Sequence, residues 1–224
     1  MKAKREDLVL FPFGGNAREA VAVIAAINAV RPRWNVLGYV DENPKLRGLG
    51  RAGVKVIGSP ELLNRSLSHT RVLAIPANPR AFAEREDMIR RLRVADTRWA
   101  TVIDPSVRIA ADAAVGRNVL IMNGCFVGAS TVIEDHCLIL PQTAVQHDAV
   151  VERYAVLGAH VTVSGHCRIG SKSYVASGSR IRDHVVVGEG SLVGLGSVVL
   201  KDVPPGAVVA GHPARPLKPR PARK

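Results

Sequence analysis

The sequence predicts an α/β unit followed by a parallel β-helix. Three observations carry this: an aliphatic residue at every sixth position over a long run, a small residue four positions after each one, and a strand, glycine turn, helix, strand pattern ahead of the run.

Residues 8–13 read as a buried strand that runs into Gly14-Gly15. A helix follows, with apolar residues at Ala20, Val23, Ile24, Ile27 and Val30, and residues 34–40 form a second strand ending at Asp41-Glu42. This order is a nucleotide-binding pattern, because a helix N-terminus attracts phosphates and an acid after the second strand can meet a ribose or base. A third strand at residues 71–75 and a helix around residues 80–92 complete the unit, which is expected to end near Thr101 and so to occupy residues 1–101.

The repeat occupies residues 102–211. Stepping by six from Ile109 gives Val115, Ile121, Val127 and Ile133, and every further step to Val199 is aliphatic. With about half of residues apolar, chance produces such a phase on the order of once in ten thousand sequences. Four positions on, each hexapeptide carries a small residue, from Ala113 and Val119 through Cys125, Thr131 and Cys137 to Ser197. A narrow prism of short strands needs this pairing of one aliphatic plug with one small residue, since bulk at both would overfill it. Glycines directly after the plug, such as Gly116, Gly128 and Gly170, relieve crowding at the corners. A six-residue period excludes a helix and suits the two-residue alternation of strands.

The phase also sorts the reactive side chains. Cys125, Cys137 and Cys167 fall in the small inward slot, where a thiol acts as a small hydrophobe. Their odd number and the absence of Cys-x-x-Cys spacing agree with a reducing compartment. His136, His160, His166 and His184 sit three steps after a plug, an outward corner position expected to be solvated, whereas His147 sits at the second step between Gln146 and Asp148. No metal site is expected, because no cysteine shares the edge on which His166 and His184 stack.

The formal charge of +12 comes from 31 basic and 19 acidic residues, with basic clusters at residues 2–5 and in an expected tail at 212–224. The tail reads as solvated, and an anionic small molecule is the favoured partner for the rest. Nucleic acid is disfavoured because no aromatics interleave with the basic residues. No apolar run approaches the roughly 20 residues of a membrane span, and the first apolar stretch is too short for a signal peptide, so a cytoplasmic location is expected.

Both halves together resemble one family, the bacterial nucleotide-sugar N-acetyltransferases and sialic-acid O-acetyltransferases with hexapeptide repeats. The matching stretches are Gly14-Gly15-Asn16-Ala17-Arg18-Glu19, Gly38-Tyr39-Val40-Asp41-Glu42, Val56-Ile57-Gly58, Gln146-His147-Asp148, Asp202-Val203-Pro204-Pro205-Gly206 and Gly211-His212-Pro213-Ala214-Arg215. The resemblance implies a Rossmann-like N-terminal domain, a left-handed β-helix with eighteen-residue coils, acetyl-CoA as acyl donor, and a homotrimer with sites between subunits.

It also implies roles. His147 is the general base, a task that suits imidazole because it titrates near neutral pH, and Asp148 polarises it, although neighbouring side chains on an extended strand diverge. Gly165 directs its N–H at the acetyl carbonyl. Ser177, Gly194 and Leu195 line the cofactor groove, while Phe13, Gly14, Gly15, Asp41 and Glu42 hold the nucleotide sugar. Two positions depart from the family pattern: Val156 replaces a second histidine that contacts the cofactor, and Pro12 replaces the leading glycine of the first loop. The expected activity is acetylation of a nucleotide-activated amino sugar in surface-glycan synthesis. The alternatives are O-acetylation of a free sugar or sialic acid, and a non-enzymatic structural trimer or basic binding protein.

Overall fold

A computed structural model describes residues 5–217. The expected basic residues 2–4 and 218–224 lie outside that range. The first unit contains β1 (Glu6–Phe11), α1 (Gly15–Val30), β2 (Trp34–Val40), β3 (Gly50–Arg51), β4 (Val54–Gly58), β5 (Arg71–Ala74) and α2 (Arg85–Arg91). Its sheet has the order β3-β4-β2-β1-β5, with β3 antiparallel to β4 and every other pairing parallel. The sequence reading missed β3 and β4 as strands, since both are short and flank the Ala52-Gly53 turn.

Helix α1 buries Ala17, Ala20, Val23 and Ile24. Val30, expected on the same face, is 75% exposed, because the helix outruns the surface it covers. From β1 the chain moves outward through β2 to β4 and returns to β5 on the other side of β1. The strand order therefore reverses between β1 and β5, and a crevice opens there at the strand ends.

The second unit is a three-sided parallel β-helix of two-residue strands, β6 (Val102–Ile103) to β22 (Val198–Val199), arranged in sheets of six, five and six strands. Partners are eighteen residues apart, as in Val127↔Val145 and Ile133↔Val151, which agrees with the eighteen-residue coil of a left-handed β-helix. The plugs and small residues form one continuous core. Small polar residues survive inside it because each finds a carbonyl, in most cases fifteen residues ahead. Thr131 donates to the Gln146 carbonyl at 2.8 Å, Thr143 to Gly158 at 2.6 Å and Ser173 to Gly188 at 2.8 Å. Cys137 occupies the same slot, and burial pushes its thiol up to about 12, so it behaves as packing material.

Left-handed backbone occurs at the third corner step, at Asn118, His136, Asp148, His166 and His184 among others. The glycines at the first step have a different reason to be glycine. A Cβ on Gly128 would lie 2.6 Å from the His147 nitrogen, and one on Gly170 would lie 2.7 Å from that of Glu189, so neighbouring coils leave no room for a side chain.

One face of the prism is covered. Its outward residues Val102, Leu120, Leu138 and Val156 are at most 1% exposed and share a core with Ala17, Ala20 and Ile24 of α1. Val156, read as a lost cofactor contact, is thus a buried hydrophobe between the two units.

The same contact corrects the reading of His136, which is only 9% exposed rather than solvated. Its ring stacks on Tyr154 at 4.7 Å, meets Trp99 edge-on at 5.2 Å, and shares a 2.9 Å hydrogen bond with the Asn118 amide. Asn118 in turn accepts from the Ala74 N–H at 2.7 Å and donates to the Ala74 carbonyl at 2.9 Å, tying β5 to the first coils. Buried Arg85 completes the joint by donating to the carbonyls of Pro76 and His136.

The six-residue phase ends at Val199, and the last coil is shorter, with Leu192 pairing to Val208. There β23 (Val208–Gly211) folds back against β24 (Ala214–Pro216). The tail expected from residue 212 therefore begins inside a paired hairpin.

Candidate active site

His147 and Asp148 occupy the corner after the strand Ala144–Val145. Extended backbone would drive their side chains apart, but Asp148 has a φ of 56°, and this turns its carboxylate back toward its neighbour. His147 Nδ1 lies 2.8 Å from Asp148 Oδ2. With Nδ1 held by a carboxylate, the ring carries its proton there and leaves the Nε2 lone pair free. Among the described residues, Nε2 has no hydrogen-bond partner.

The coil above supplies the floor of the site. His166 N–H donates to the His147 carbonyl at 3.1 Å, which places Gly165 against the imidazole. A Cβ on Gly165 would stand 2.5 Å from His147 Cε1 and 2.8 Å from Nε2, so only glycine admits the ring in this position. Gly165 is buried, and among the described residues its N–H donates to no acceptor. Further along the edge, the His166 ring meets His147 edge-on at 5.2 Å and stacks on His184 at 4.6 Å. Asp148 Oδ2 lies 3.7 Å from His166 Nε2.

Ser177, Gly194 and Leu195 lie on another corner, so one chain does not bring them to His147. Ser177 Oγ accepts from the Ala159 N–H at 3.1 Å, Gly194 makes room for Ala210, and Leu195 stands 76% exposed.

In the first unit, Gly14 and Gly15 line a cavity of about 330 Å³ at the β1–β5 crevice, together with Pro12, Asn16, Pro76 and Asn78. Phe13, Asp41 and Glu42 do not line it. The Asp41 carboxylate accepts from the Phe13 N–H and the Asn43 N–H, each at 2.9 Å, and so holds the glycine loop. The Phe13 ring packs edge-on against Tyr39 at 5.1 Å, and Glu42 faces Arg91 at 3.7 Å. Sequence reasoning took Asn16 only as part of a matching stretch and missed Pro76 and Asn78; the usable signal for these two was the loop directly after the third expected strand, where the strand order reverses.

Comparisons with known proteins agree with this architecture. The family described as GMPPB C-terminal domain matches residues 98–194. Galactoside O-acetyltransferase of Escherichia coli (strain K12) is 28% identical over 148 residues, 63% of this chain and 71% of that protein. The acetyltransferase domain of PglB from Neisseria gonorrhoeae FA1090, also solved in complex with acetyl coenzyme A, superposes with a TM-score of 0.84 at 25% identity, covering 96% of this chain and 100% of that one. An alanine-for-histidine variant of the GDP-perosamine N-acetyl transferase from Caulobacter crescentus, in complex with CoA and GDP-perosamine, gives a TM-score of 0.79 at 25% identity over 97% of this chain and 99% of that one. Relatives by sequence and by structure are thus sugar acetyltransferases of the hexapeptide-repeat family, and they indicate that the chain is an acyltransferase.

Proposed function

We propose that the protein transfers an acetyl group from acetyl-CoA to the amino group of a nucleotide-activated sugar, with His147 as general base. The observation that carries this is the imidazole held through Nδ1 by Asp148 while Nε2 stays unengaged over Gly165. As the sugar nitrogen attacks the thioester carbon, His147 Nε2 takes its proton. The Gly165 N–H can then donate to the oxygen of the tetrahedral intermediate. When the carbon–sulfur bond breaks, the imidazolium returns the proton to the departing thiolate. The Cβ-free floor and unused N–H at Gly165 fit a thioester group at this corner.

The Rossmann-like reading of the first unit rests on its strand order and on the cavity at Gly14, Gly15 and Asn78, which we assign to the nucleotide. That the glycan modified belongs to the cell surface is an inference from the resemblance. O-acetylation of a free sugar or sialic acid is the second reading, favoured by Pro12 in place of a glycine in the lining of the cavity.

The placement of the two half-sites supports a homotrimer. The α/β unit covers the face carrying Leu120, Leu138 and Val156, whereas His147 stands on the corner between the other two faces. The cavity and the base of a single chain are therefore on different sides of the prism, an arrangement that suits a site completed by a second copy. Ser177 and Leu195 on the neighbouring corner would then reach the acyl donor held at another chain's His147.

The test is thiol release from acetyl-CoA with UDP-, GDP- and dTDP-amino sugars and free sialic acid. His147→Ala should lower kcat by roughly 10²–10⁴-fold, and Asp148→Asn by less, with folding intact. Unchanged transfer in His147→Ala would remove the base assignment, and a response confined to a free sugar would favour the second reading.

A further inference from the structure

The His147 corner has the makings of a transition-metal site. One ligand atom from each of His147, Asp148 and His166 lies within 4.8 Å of the other two. Bonds of about 2.0–2.2 Å at tetrahedral angles require ligand atoms roughly 3.3–3.6 Å apart. The pair distances of 2.8 Å from Asp148 Oδ2 to His147 Nδ1 and 3.7 Å to His166 Nε2 bracket that range. The third pair, His147 to His166, lies within 4.8 Å, so side-chain rotation has to close at most about 1.5 Å there.

The ligand set is selective. Two imidazole nitrogens and one carboxylate oxygen suit zinc and its neighbours, whereas magnesium and calcium prefer oxygen alone. Stacking of His184 on His166 at 4.6 Å limits rotation of that ring and keeps it over Asp148. The three side chains are about half exposed, so an ion arriving from solvent meets no barrier, and a water or a substrate group can take the fourth position.

We infer that a divalent transition metal such as Zn²⁺ binds His147, Asp148 and His166 and thereby arrests acetyl transfer reversibly. A metal at His147 Nδ1 takes the lone pair there and leaves the neutral ring's proton on Nε2, so Nε2 has no lone pair with which to accept the proton of the attacking nitrogen. The binding half stands on geometry alone; the inhibition half rests on His147 being the base.

The experiment is calorimetric titration of Zn²⁺ into the metal-free full chain, alongside acetyl-transfer rates with and without Zn²⁺. His166→Asn is the test variant, because asparagine tolerates the φ of 57° at that position. His160→Asn, at the equivalent step of another corner, is the control. Expected are one ion per chain, affinity weakened on the order of tenfold or more in His166→Asn alone, and inhibition that EDTA reverses, each variant being compared with its own metal-free rate. Absence of saturable binding, or binding unaffected by His166→Asn, would overturn the site. Binding that depends on His166 but leaves transfer unchanged would keep the site and refute His147 as the base.

Discussion

Gly165→Ala separates the geometry of the base from the stability of the fold. The added Cβ would sit 2.5 Å from His147 Cε1, while ordinary van der Waals contact begins near 3.4 Å, so the imidazole must retreat by about 1 Å. No left-handed φ is required of Gly165, and the obstructing atoms belong to the end of a mobile side chain, so the backbone accepts alanine without rearrangement. A displacement of about 1 Å at a catalytic group can cost on the order of 10²-fold in rate. The variant should therefore lose about that much kcat while its Tm moves by only a few degrees, since about 1 kcal/mol corresponds to roughly 2–4 °C in a chain of this size. Steady-state thiol release and differential scanning calorimetry measure the two quantities. Combining Gly165→Ala with His147→Ala should add little to the loss from His147→Ala, because both substitutions act on one group. Wild-type kcat in the glycine variant, or a collapse in Tm with proportionate loss of activity, would refute the reasoning.

Other expectations concern the joint between the two units. Burial lowers the His136 pKa to about 4 from its ordinary 6.5, so the folded protein holds this ring neutral where an unfolded chain would protonate it. Its contribution is present above pH 6.5 and is lost as pH falls toward 4, amounting to about 3 kcal/mol over that window. Urea unfolding at several pH values should show this slope, and His136→Asn should flatten it. Leu138→Ala, at 0% exposure beneath α1, should cost about 2–5 kcal/mol. It should still unfold in one transition by circular dichroism, because α1 and the prism share a core; two resolved transitions would contradict that.

The β-helix was legible in the sequence because each hexapeptide repeats the same packing problem, so one phase accounts for the core from Ile109 to Val199. What lay between the units was harder to read. Leu120, Leu138 and Val156 are outward residues that are apolar at eighteen-residue spacing, a sign of a covered face that a six-residue period does not reveal. His136 was misread for the same reason. The convergence of Asp148 on His147 depends on one φ angle, and residue identity does not specify it, since glycine, serine, lysine and histidine occupy the same step elsewhere. In the crevice, the glycine turn was visible, but Asp41 looked like a ligand group when its carboxylate is spent on the loop's own N–H groups.

Alignment of Gly165 beneath His147 depends on their separation by one full coil, and this constrains how the chain can change in length. Removing a single hexapeptide between them would rotate everything downstream by one face and bring Ser171 under the imidazole, with a hydroxymethyl group where the ring now rests. The hexapeptide is thus the unit of packing, but the coil of three is the unit of heredity: insertions and deletions inside this stretch preserve the catalytic corner only in multiples of eighteen residues.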